Sequence, residues 1–259
     1  MSRCKFTIIT VCYNAEKYIE DTINSVLSQT YSSFEYIVKD GQSDDGTMDI
    51  VHRLTDGDNR VMIIQGKDQG IYDAMNIAVL QASGEYILFL NAGDAFVDDL
   101  VLSKTAEYMT AQTADIYYGD VIEISNKRKS LRVYTEKNSK MWYYSLGACL
   151  CHQGMFCKKE LFQRKLFDLD YIVCADRDWQ MWHIKNGAAT RAMKFSIAEV
   201  LTDGFSGNHI ADLEKETELC VRAYCGKWLV VYKTIKLIKK NKFLHKMIQK
   251  TEEMISCKE

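Results

Sequence analysis

Hydrophobic and polar positions alternate in blocks along the first hundred residues of the chain. Four blocks are mostly apolar, which is typical of strands buried on both faces of a sheet; they span residues 6–11, 34–39, 61–65 and 86–90. Between them, apolar residues recur at helical spacing over residues 18–27, 48–54 and 70–82. This alternation predicts an α/β fold whose mostly parallel central sheet carries helices on both faces.

After residue 98 the pattern is less regular. It predicts helices over residues 100–110, 158–163 and 176–184. It predicts strands over residues 116–123, 131–134 and 198–201, and a glycine-containing loop over 203–208. We therefore expect the α/β region to end near residue 208 and a helical appendage to follow over residues 209–259.

The segment 227–250 differs from the rest because eight lysines are interleaved with apolar residues. This pattern predicts a basic amphipathic helix, which can lie on an anionic membrane surface with its apolar face down. Apolar residues occur on more than one face, so a helix packed on its own domain or on a partner protein is the alternative.

Composition narrows the function classes. The 259 residues are 47% apolar and carry a net charge of −2, so the chain can build a large core and gives no reason to expect nucleic acid as a partner. Nine cysteines without a Cys-x-x-Cys pair favour free thiols in a reducing compartment over disulfides or a zinc site. We find no signal peptide and no apolar run of about 18 residues, so a cytoplasmic location is expected.

Two carboxylates follow predicted strands at the points where those strands end. Asp40 closes the second strand, and Asp94 ends the polar turn after the strand at 86–90. Ligands of open α/β sheets lie beyond the carboxyl ends of the strands, where an acid can hold a hard cation and, through it, a phosphate group. The alternative is ordinary turn chemistry, in which Asn, Gly and Asp only reverse the chain.

Four motifs in this order resemble the inverting family-2 glycosyltransferases of the GT-A (Rossmann-like) fold, in particular the bacterial branch that builds surface polysaccharides such as O-antigen. The motifs are Thr10–Asn14, Asp40–Thr47, Asp68–Asn76 and Phe89–Asp94. The resemblance covers residues 4–206 and is strongest up to about residue 100. It implies a GT-A domain over 1–208, with a nucleotide-binding half at about 1–100 and an acceptor half at 101–208.

The resemblance also implies residues that bind the nucleotide and the donor sugar. They are Thr10, Tyr13, Asn14, Asp40, Asp73, Asn76 and Asn91. A carboxylate that accepts from the uracil ring, with an aromatic ring nearby for stacking, would select uridine, so a UDP-sugar is the expected donor. Local structure is the alternative: Asn14 could cap a helix, Asp40 could form a turn, and Asp73 and Asn76 could cap or pack.

Asp94 aligns with the last acid of the family's metal-binding motif, which implies a divalent Mn²⁺ or Mg²⁺ cofactor. The chain departs from the fuller acidic pattern because Asn91 and Gly93 stand where the family often has acids. Asn91 could still offer a carbonyl oxygen to the ion. Asp94 would then supply most of the protein's share of the ligands.

An inverting transfer needs a general base that takes the proton from the acceptor hydroxyl. Asp176 matches the family's catalytic acid, and Asp178 is the runner-up. Both could instead be helix-terminal acids favoured by the helix dipole, and Asp178 could cap the helix or pair with Arg177. His152 and Gln153 resemble a family pair that contacts acceptor or phosphate, and His209 could contact the diphosphate.

These residues together predict a metal-dependent inverting glycosyltransferase. The expected acceptor is a saccharide or a lipid-linked oligosaccharide at the inner face of the cytoplasmic membrane. A nucleotidyltransferase would want a glycine-rich loop with basic residues after the first strand, and Val11–Ala15 has neither. A noncatalytic nucleotide-sugar-binding protein on the same fold is the second alternative.

Overall fold

The computed structural model describes residues 5–126, 128–202, 209–226 and 229–240. Its strands are β1 (Phe6–Cys12), β2 (Phe34–Asp40), β3 (Val61–Gln65), β4 (Tyr86–Phe89), β5 (Ala95–Phe96), β6 (Ile116–Ser125), β7 (Arg128–Arg132), β8 (Met155–Lys158) and β9 (Thr190–Leu201). Its helices are α1 (Ile19–Leu27), α2 (Thr47–Thr55), α3 (Ile71–Gln81), α4 (Val101–Ala111), α5 (Met141–Ser145), α6 (Lys159–Arg164), α7 (Ala175–Lys185), α8 (Ile210–Cys225) and α9 (Leu229–Lys240).

The first half of the chain forms a parallel sheet in the order β3-β2-β1-β4. All seven residues of β1 are buried, as expected for a central strand that is covered on both faces. Helix α1 buries residues at positions i, i+3, i+4 and i+7, which gives it one apolar face toward this core. The carboxyl ends of β2 and β4 therefore lie at the same edge, on either side of the end of β1.

The second half extends the same sheet with mixed strand directions. Strand β8 is antiparallel to both β4 and β6, and β6 then pairs with β9 in parallel. A short 3₁₀ turn at His152–Gly154 leads directly into β8, so it lies close to the end of β4. The predicted α/β fold is confirmed, but neither β8 nor the short β5 was predicted.

Helices α8 and α9 pack on the domain rather than standing apart from it. Lys233 and Lys236 of α9 form ion pairs with Glu218 (3.2 Å) and Glu214 (2.9 Å) of α8. Tyr232 is only 7% exposed. These contacts fit the packed-helix alternative for the part of 227–250 that the structure describes; residues 227–228, the loop 203–208 and residues beyond 240 lie outside it. Within the described residues, no helix is both long and apolar enough to cross a membrane.

Candidate functional site

The loop after β2 is organised around Asp40, whose side chain is wholly buried. Its carboxylate accepts hydrogen bonds from Gln42 N at 3.0 Å, from Ser43 N at 3.1 Å and from Ser43 Oγ at 2.5 Å. These contacts are the turn chemistry considered as the alternative for this residue. The expected contact between Asp40 and a uracil ring stays a prediction.

Asn14 connects the loop after β1 to the loop after β2. Its side-chain oxygen accepts from Asp44 N at 3.0 Å, and its backbone N–H donates to Ser43 Oγ at 2.9 Å. Helix α1 begins only at Ile19 and has no side-chain cap, so the helix-cap interpretation of Asn14 is wrong. Neighbouring Tyr13 is 64% exposed, which leaves its ring free to stack on a base.

Lys39 is a buried residue of this region that the sequence analysis missed. Its ammonium group donates to Asp40 O (2.8 Å), Gly66 O (2.7 Å) and the carboxylate of Asp68 (2.7 Å). All three ammonium protons are thereby used, as a buried lysine requires. Lys39 therefore ties the ends of β2 and β3 together. The detectable signal was a lysine directly before the strand-ending acid.

Two residues expected at the donor are buried in the framework instead. Thr10 is 0% exposed, and its hydroxyl donates to Leu90 O at 2.6 Å and accepts from Tyr36. Asn76 forms two 2.9 Å hydrogen bonds with the backbone of Phe167. Both side chains have their hydrogen-bonding groups engaged away from the sheet edge, so we leave Thr10 and Asn76 out of the donor site proposed below.

Asp73 lies in the first turn of α3 and accepts a hydrogen bond from Gln69 N at 2.9 Å. This bond is local structure at the start of α3, although it is not an N-cap bond because the N-cap residue is Gly70. A donor contact by Asp73 stays a prediction.

The turn after β4 buries the Asp94 carboxylate, which is 5% exposed. Gln153 Nε2 donates to one oxygen at 2.9 Å and Leu201 N to the other at 3.1 Å. Burial raises the pKa of Asp94 to about 6, and the two hydrogen bonds only partly offset this effect. A carboxylate has about four acceptor sites, so Asp94 keeps lone pairs that can coordinate a cation.

The backbone explains why Gly93 departs from the acidic pattern. Its φ is +102°, a conformation that side chains with a Cβ rarely adopt. A Cβ at this position would also lie 3.0 Å from Leu201 Cδ1. An acid at position 93 would therefore be strained, and Asp94 carries the charge of this turn alone.

The donor atoms of this turn fit a divalent cation that is shared with a phosphate ligand. Asn91 Oδ1 is buried and has no hydrogen-bond partner among the described residues, which marks it as an oxygen available to a ligand. Amide and carboxylate oxygens are ligands that Mg²⁺ and Mn²⁺ prefer. The described residues hold no group of three His, Cys, Asp or Glu suited to a metal, so a diphosphate or water would have to supply the remaining ligands.

A hydrogen-bonded chain leads from this turn to Asp176. Asn91 Nδ2 lies 3.3 Å from His152 Nε2, and His152 Nδ1 lies 3.2 Å from Asp176 Oδ2. An ionised carboxylate only accepts, so we assign the His152 proton to Nδ1, which leaves Nε2 to accept from Asn91. Tyr72 Oη lies 3.2 Å from Asp176 Oδ1 and 2.6 Å from Val173 O, and its single proton serves these two acceptors.

The surroundings of Asp176 favour its ionised form although the side chain is largely enclosed. A small cavity beside it is lined mainly by apolar side chains, among them Phe89, Phe162, Phe167 and Trp179. Burial acts to raise the pKa of Asp176, but the hydrogen bond from His152 and the positive charge of neighbouring Arg177 outweigh it, so this pKa lies below its ordinary value. The side chain remains 15% exposed, which leaves it accessible to a hydroxyl group.

Asp178 and His209 do not take part in the hydrogen bonds that connect Asn91, His152 and Asp176. Asp178 is buried against Lys165, at 2.5 Å, and the hydroxyl of Tyr224, at 2.6 Å. It pairs with Lys165 and not with Arg177, so its role as runner-up base is not supported by its position. His209 lies 3.3 Å from Asp212 at the start of α8, and its expected diphosphate contact stays a prediction.

Comparison with known proteins decides the family. The sequence model described as "Glycosyl transferase family 2" matches residues 7–181. The chain belongs to this family. A PGL/p-HBAD biosynthesis glycosyltransferase of Mycobacterium bovis BCG is 30% identical over 241 residues, which is 89% of this chain and 90% of that relative. The putative teichuronic acid biosynthesis glycosyltransferase TuaG of Bacillus subtilis is 38% identical over 104 residues, covering 40% of this chain and 41% of TuaG.

Solved structures share the fold at low sequence identity. The 1–349 fragment of S. aureus TarS in complex with UDP-GlcNAc matches with a TM-score of 0.71 at 18% identity, over 89% of this chain and 72% of that one. The mannosyltransferase PcManGT of Pyrobaculum calidifontis, in complex with GDP-Man and Mn²⁺, matches with a TM-score of 0.60 at 18% identity, over 83% and 64%. The family-2 chain is therefore a glycosyltransferase with a GT-A-like fold.

Proposed function

We propose that this family-2 enzyme transfers a sugar, with inversion, from a UDP-sugar to a saccharide acceptor, which we take to be lipid-linked and part of a cell-surface polysaccharide. The observation that carries this proposal is the Asp176 carboxylate. It is held by His152 and Tyr72 and connected through Asn91 to the turn that holds Asp94. A proton acceptor and a set of phosphate-facing oxygens are the two groups that this reaction needs.

Asp176 would act as the general base of a single displacement. The acceptor hydroxyl oxygen attacks the anomeric carbon, and the bond from that carbon to the diphosphate breaks, so its electron pair leaves with UDP. The hydroxyl proton passes to Asp176. Hydrogen bonds from His152 and Tyr72 hold the carboxylate in one orientation before the acceptor arrives, which lowers the entropic cost of reaching the attacking geometry.

Asp94 and the unpaired oxygen of Asn91 would hold the divalent ion together with the donor diphosphate. A bound Mn²⁺ or Mg²⁺ supplies positive charge that neutralises the leaving diphosphate. The hydrogen bonds from Gln153 and Leu201 keep the Asp94 carboxylate oriented. The Mn²⁺ named with PcManGT supports this proposal as an analogy of fold.

We take a UDP-sugar as the donor, and its base would stack on exposed Tyr13 beside the tight loop at Gly41. A Cβ added at Gly41 would lie 3.4 Å from the Tyr13 ring and 3.1 Å from an oxygen of Asp68, so little room separates these groups. The UDP-GlcNAc named with TarS supports the same choice, and TuaG supports a role in polysaccharide synthesis.

A panel of nucleotide sugars tests this function. The full chain is incubated with Mn²⁺ and each of UDP-glucose, UDP-galactose, UDP-N-acetylglucosamine and GDP-mannose, and release of the nucleoside diphosphate is measured. We expect release from at least one UDP-sugar, its loss when EDTA removes the metal, and its recovery with excess Mn²⁺. Binding of UDP-sugars without turnover in any acceptor mixture would instead favour the noncatalytic binding protein, and turnover of GDP-mannose alone would overturn the donor assignment.

Membrane contact through residues 227–250 remains part of the proposal. Val230 and Leu237 of α9 are about 70% exposed, at 71% and 70%, which leaves apolar surface beside the paired lysines. We expect the full chain to sediment with vesicles that contain anionic lipid and to do so less after deletion of residues 227–259. Neutral vesicles are the control, and equal binding by both chains would exclude this segment as the anchor.

A further inference from the structure

A carboxylate of α8 holds the backbone that leads into the proposed base. Glu216 is 6% exposed, whereas the other acids of α8 are exposed (Glu214) or half-buried (Asp212 and Glu218). One of its oxygens accepts from Ile172 N at 2.8 Å. The other accepts from Val173 N and Cys174 N, both at 2.9 Å. Three consecutive backbone N–H groups are therefore satisfied by one side chain.

These three residues come directly before α7, which begins at Ala175 and carries Asp176 in its first turn. The N–H groups of residues before a helix have no partner within the helix and need one from elsewhere when they are buried. Val173 and Cys174 are buried, and Glu216 supplies that partner. A displacement of this segment would carry the first turn of α7 with it.

The same segment is also held by the donor half of the molecule. Tyr72 of α3 lies 2.6 Å from Val173 O and 3.2 Å from Asp176. On the α8 side, Cys174 Sγ also lies 3.8 Å from Leu213 O and 3.7 Å from Thr217 Oγ1. Residues 172–174, which lead into α7, are thus bound by both α3 and α8. Their N–H groups donate to Glu216, and the carbonyl of Val173 accepts from Tyr72.

We propose that Glu216 is a positioning residue for glycosyl transfer: its carboxylate fixes residues 172–174 and through them the orientation of Asp176. This role rests on the proposed function of Asp176 as general base. Glu216 does not contact Asp176 in the described hydrogen-bond network, so its effect is geometric. A displacement of about 1 Å in a catalytic group can cost about 10²-fold in rate, which makes such a clamp consequential.

Glutamate suits this role for a chemical reason. An ionised carboxylate is an acceptor with about four lone-pair sites, enough for three N–H groups, and bonds to a charged acceptor are stronger than neutral ones. The isosteric change Glu216→Gln keeps the volume but replaces one acceptor oxygen with an NH₂ donor that would face backbone N–H groups. We expect this variant to lose at least one of the three bonds and to loosen the segment.

A double-mutant cycle on the full chain tests the proposal. The variants are Glu216→Gln, Asp176→Asn and the combination of both, with Glu218→Gln as a control on the same helix, because Glu218 pairs with Lys233 and Arg222. Turnover of the most active UDP-sugar of the panel, binding of UDP and the thermal midpoint are measured for each. We expect Glu216→Gln to lower kcat by about 10–10²-fold with UDP binding unchanged. It should lower turnover no further in the Asp176→Asn background, since its effect passes through that carboxylate.

Equal losses in both backgrounds, or an unchanged kcat in a folded Glu216→Gln variant, would overturn the positioning role. If Glu216→Gln does not fold, Glu216→Asp is used, because it keeps the charge and shortens the side chain by one methylene. In that cycle too, equal losses in both backgrounds or an unchanged kcat would overturn the positioning role. Should Asp176→Asn itself retain the wild-type rate, the proposed base is wrong. That result is distinct from a cycle in which Asp176→Asn is impaired and Glu216→Gln is additive to it.

Discussion

Asp176→Asn should lower the rate of glycosyl transfer by about 10²–10⁴-fold, the range typical of a lost general base. Asparagine keeps the size of the side chain and can still interact with His152 and Tyr72, but it cannot take the acceptor proton. Binding of UDP in Mn²⁺ should stay the same, because Asp176 lies outside the loops proposed to hold the nucleotide. Initial rates with the best UDP-sugar and calorimetric titration with UDP measure the two effects separately.

Asp178→Asn provides the matched control on the same helix. Asp178 is buried against Lys165 and Tyr224, so removal of its charge leaves Lys165 without its ion-pair partner. We expect a lower thermal midpoint, since breaking a buried pair is destabilising, with kcat close to that of the wild type. An Asp178→Asn variant that loses transfer while Asp176→Asn retains it would reverse the assignment of the base.

Asp94→Ala should abolish metal-dependent binding of UDP and reduce transfer by about 10²–10³-fold or more. The change removes the one carboxylate of the turn after β4 and leaves Asn91 as the remaining side-chain oxygen proposed for the ion. Titration of UDP with and without Mn²⁺ measures the effect, and we expect the difference between the two conditions to disappear.

Two further variants separate charge from structure at this turn. Asp94→Asn keeps an oxygen that can accept from Leu201 N but turns an NH₂ group toward Gln153 Nε2, so it should fold with a lower thermal midpoint and still lose the metal dependence. Asp98→Asn removes a surface acid four residues away that pairs with Lys104, and it should leave Mn²⁺-dependent binding unchanged. Full activity of Asp94→Ala would remove Asp94 from the metal site.

The strands and helices of the first hundred residues could be predicted because buried parallel strands and amphipathic helices leave strong periodic patterns. The strand expected at 61–65 has the observed bounds, and β1 and β2 each extend one residue further than predicted. Strand β8 was missed because it is four residues long and follows a 3₁₀ turn. Strand β9 begins at Thr190 instead of residue 198, since its polar positions interrupt the apolar run on which the prediction relied.

The candidate site was only partly predictable because motif membership does not reveal burial. Asn91, His152 and Asp176 all lie on one hydrogen-bonded chain. Thr10 and Asn76 belong to the same motifs, but their side chains bind buried backbone groups. Sequence position alone cannot tell a polar side chain that lines an edge from one that satisfies a buried backbone group.

Hydrogen bonds between residues far apart in the sequence could not be predicted either. Lys39 reaches Asp68 across a separation of 29 residues, and Glu216 reaches Cys174 across 42. Lys39 gave a weak signal as a charge in a buried strand. Glu216 gave no such signal, since an acid on a helix rich in Glu is expected to be exposed to solvent.

The anomeric configuration of the product tests the proposed single displacement by Asp176 most directly. The best UDP-sugar of the panel is incubated with Mn²⁺ and an acceptor, and proton NMR of the first product formed reports the configuration at the transferred sugar before it can equilibrate. From an α-linked UDP-sugar we expect a β-configured product from the wild type and almost none from Asp176→Asn. An α-configured product would contradict inversion and with it the role of Asp176 as the base of a single displacement.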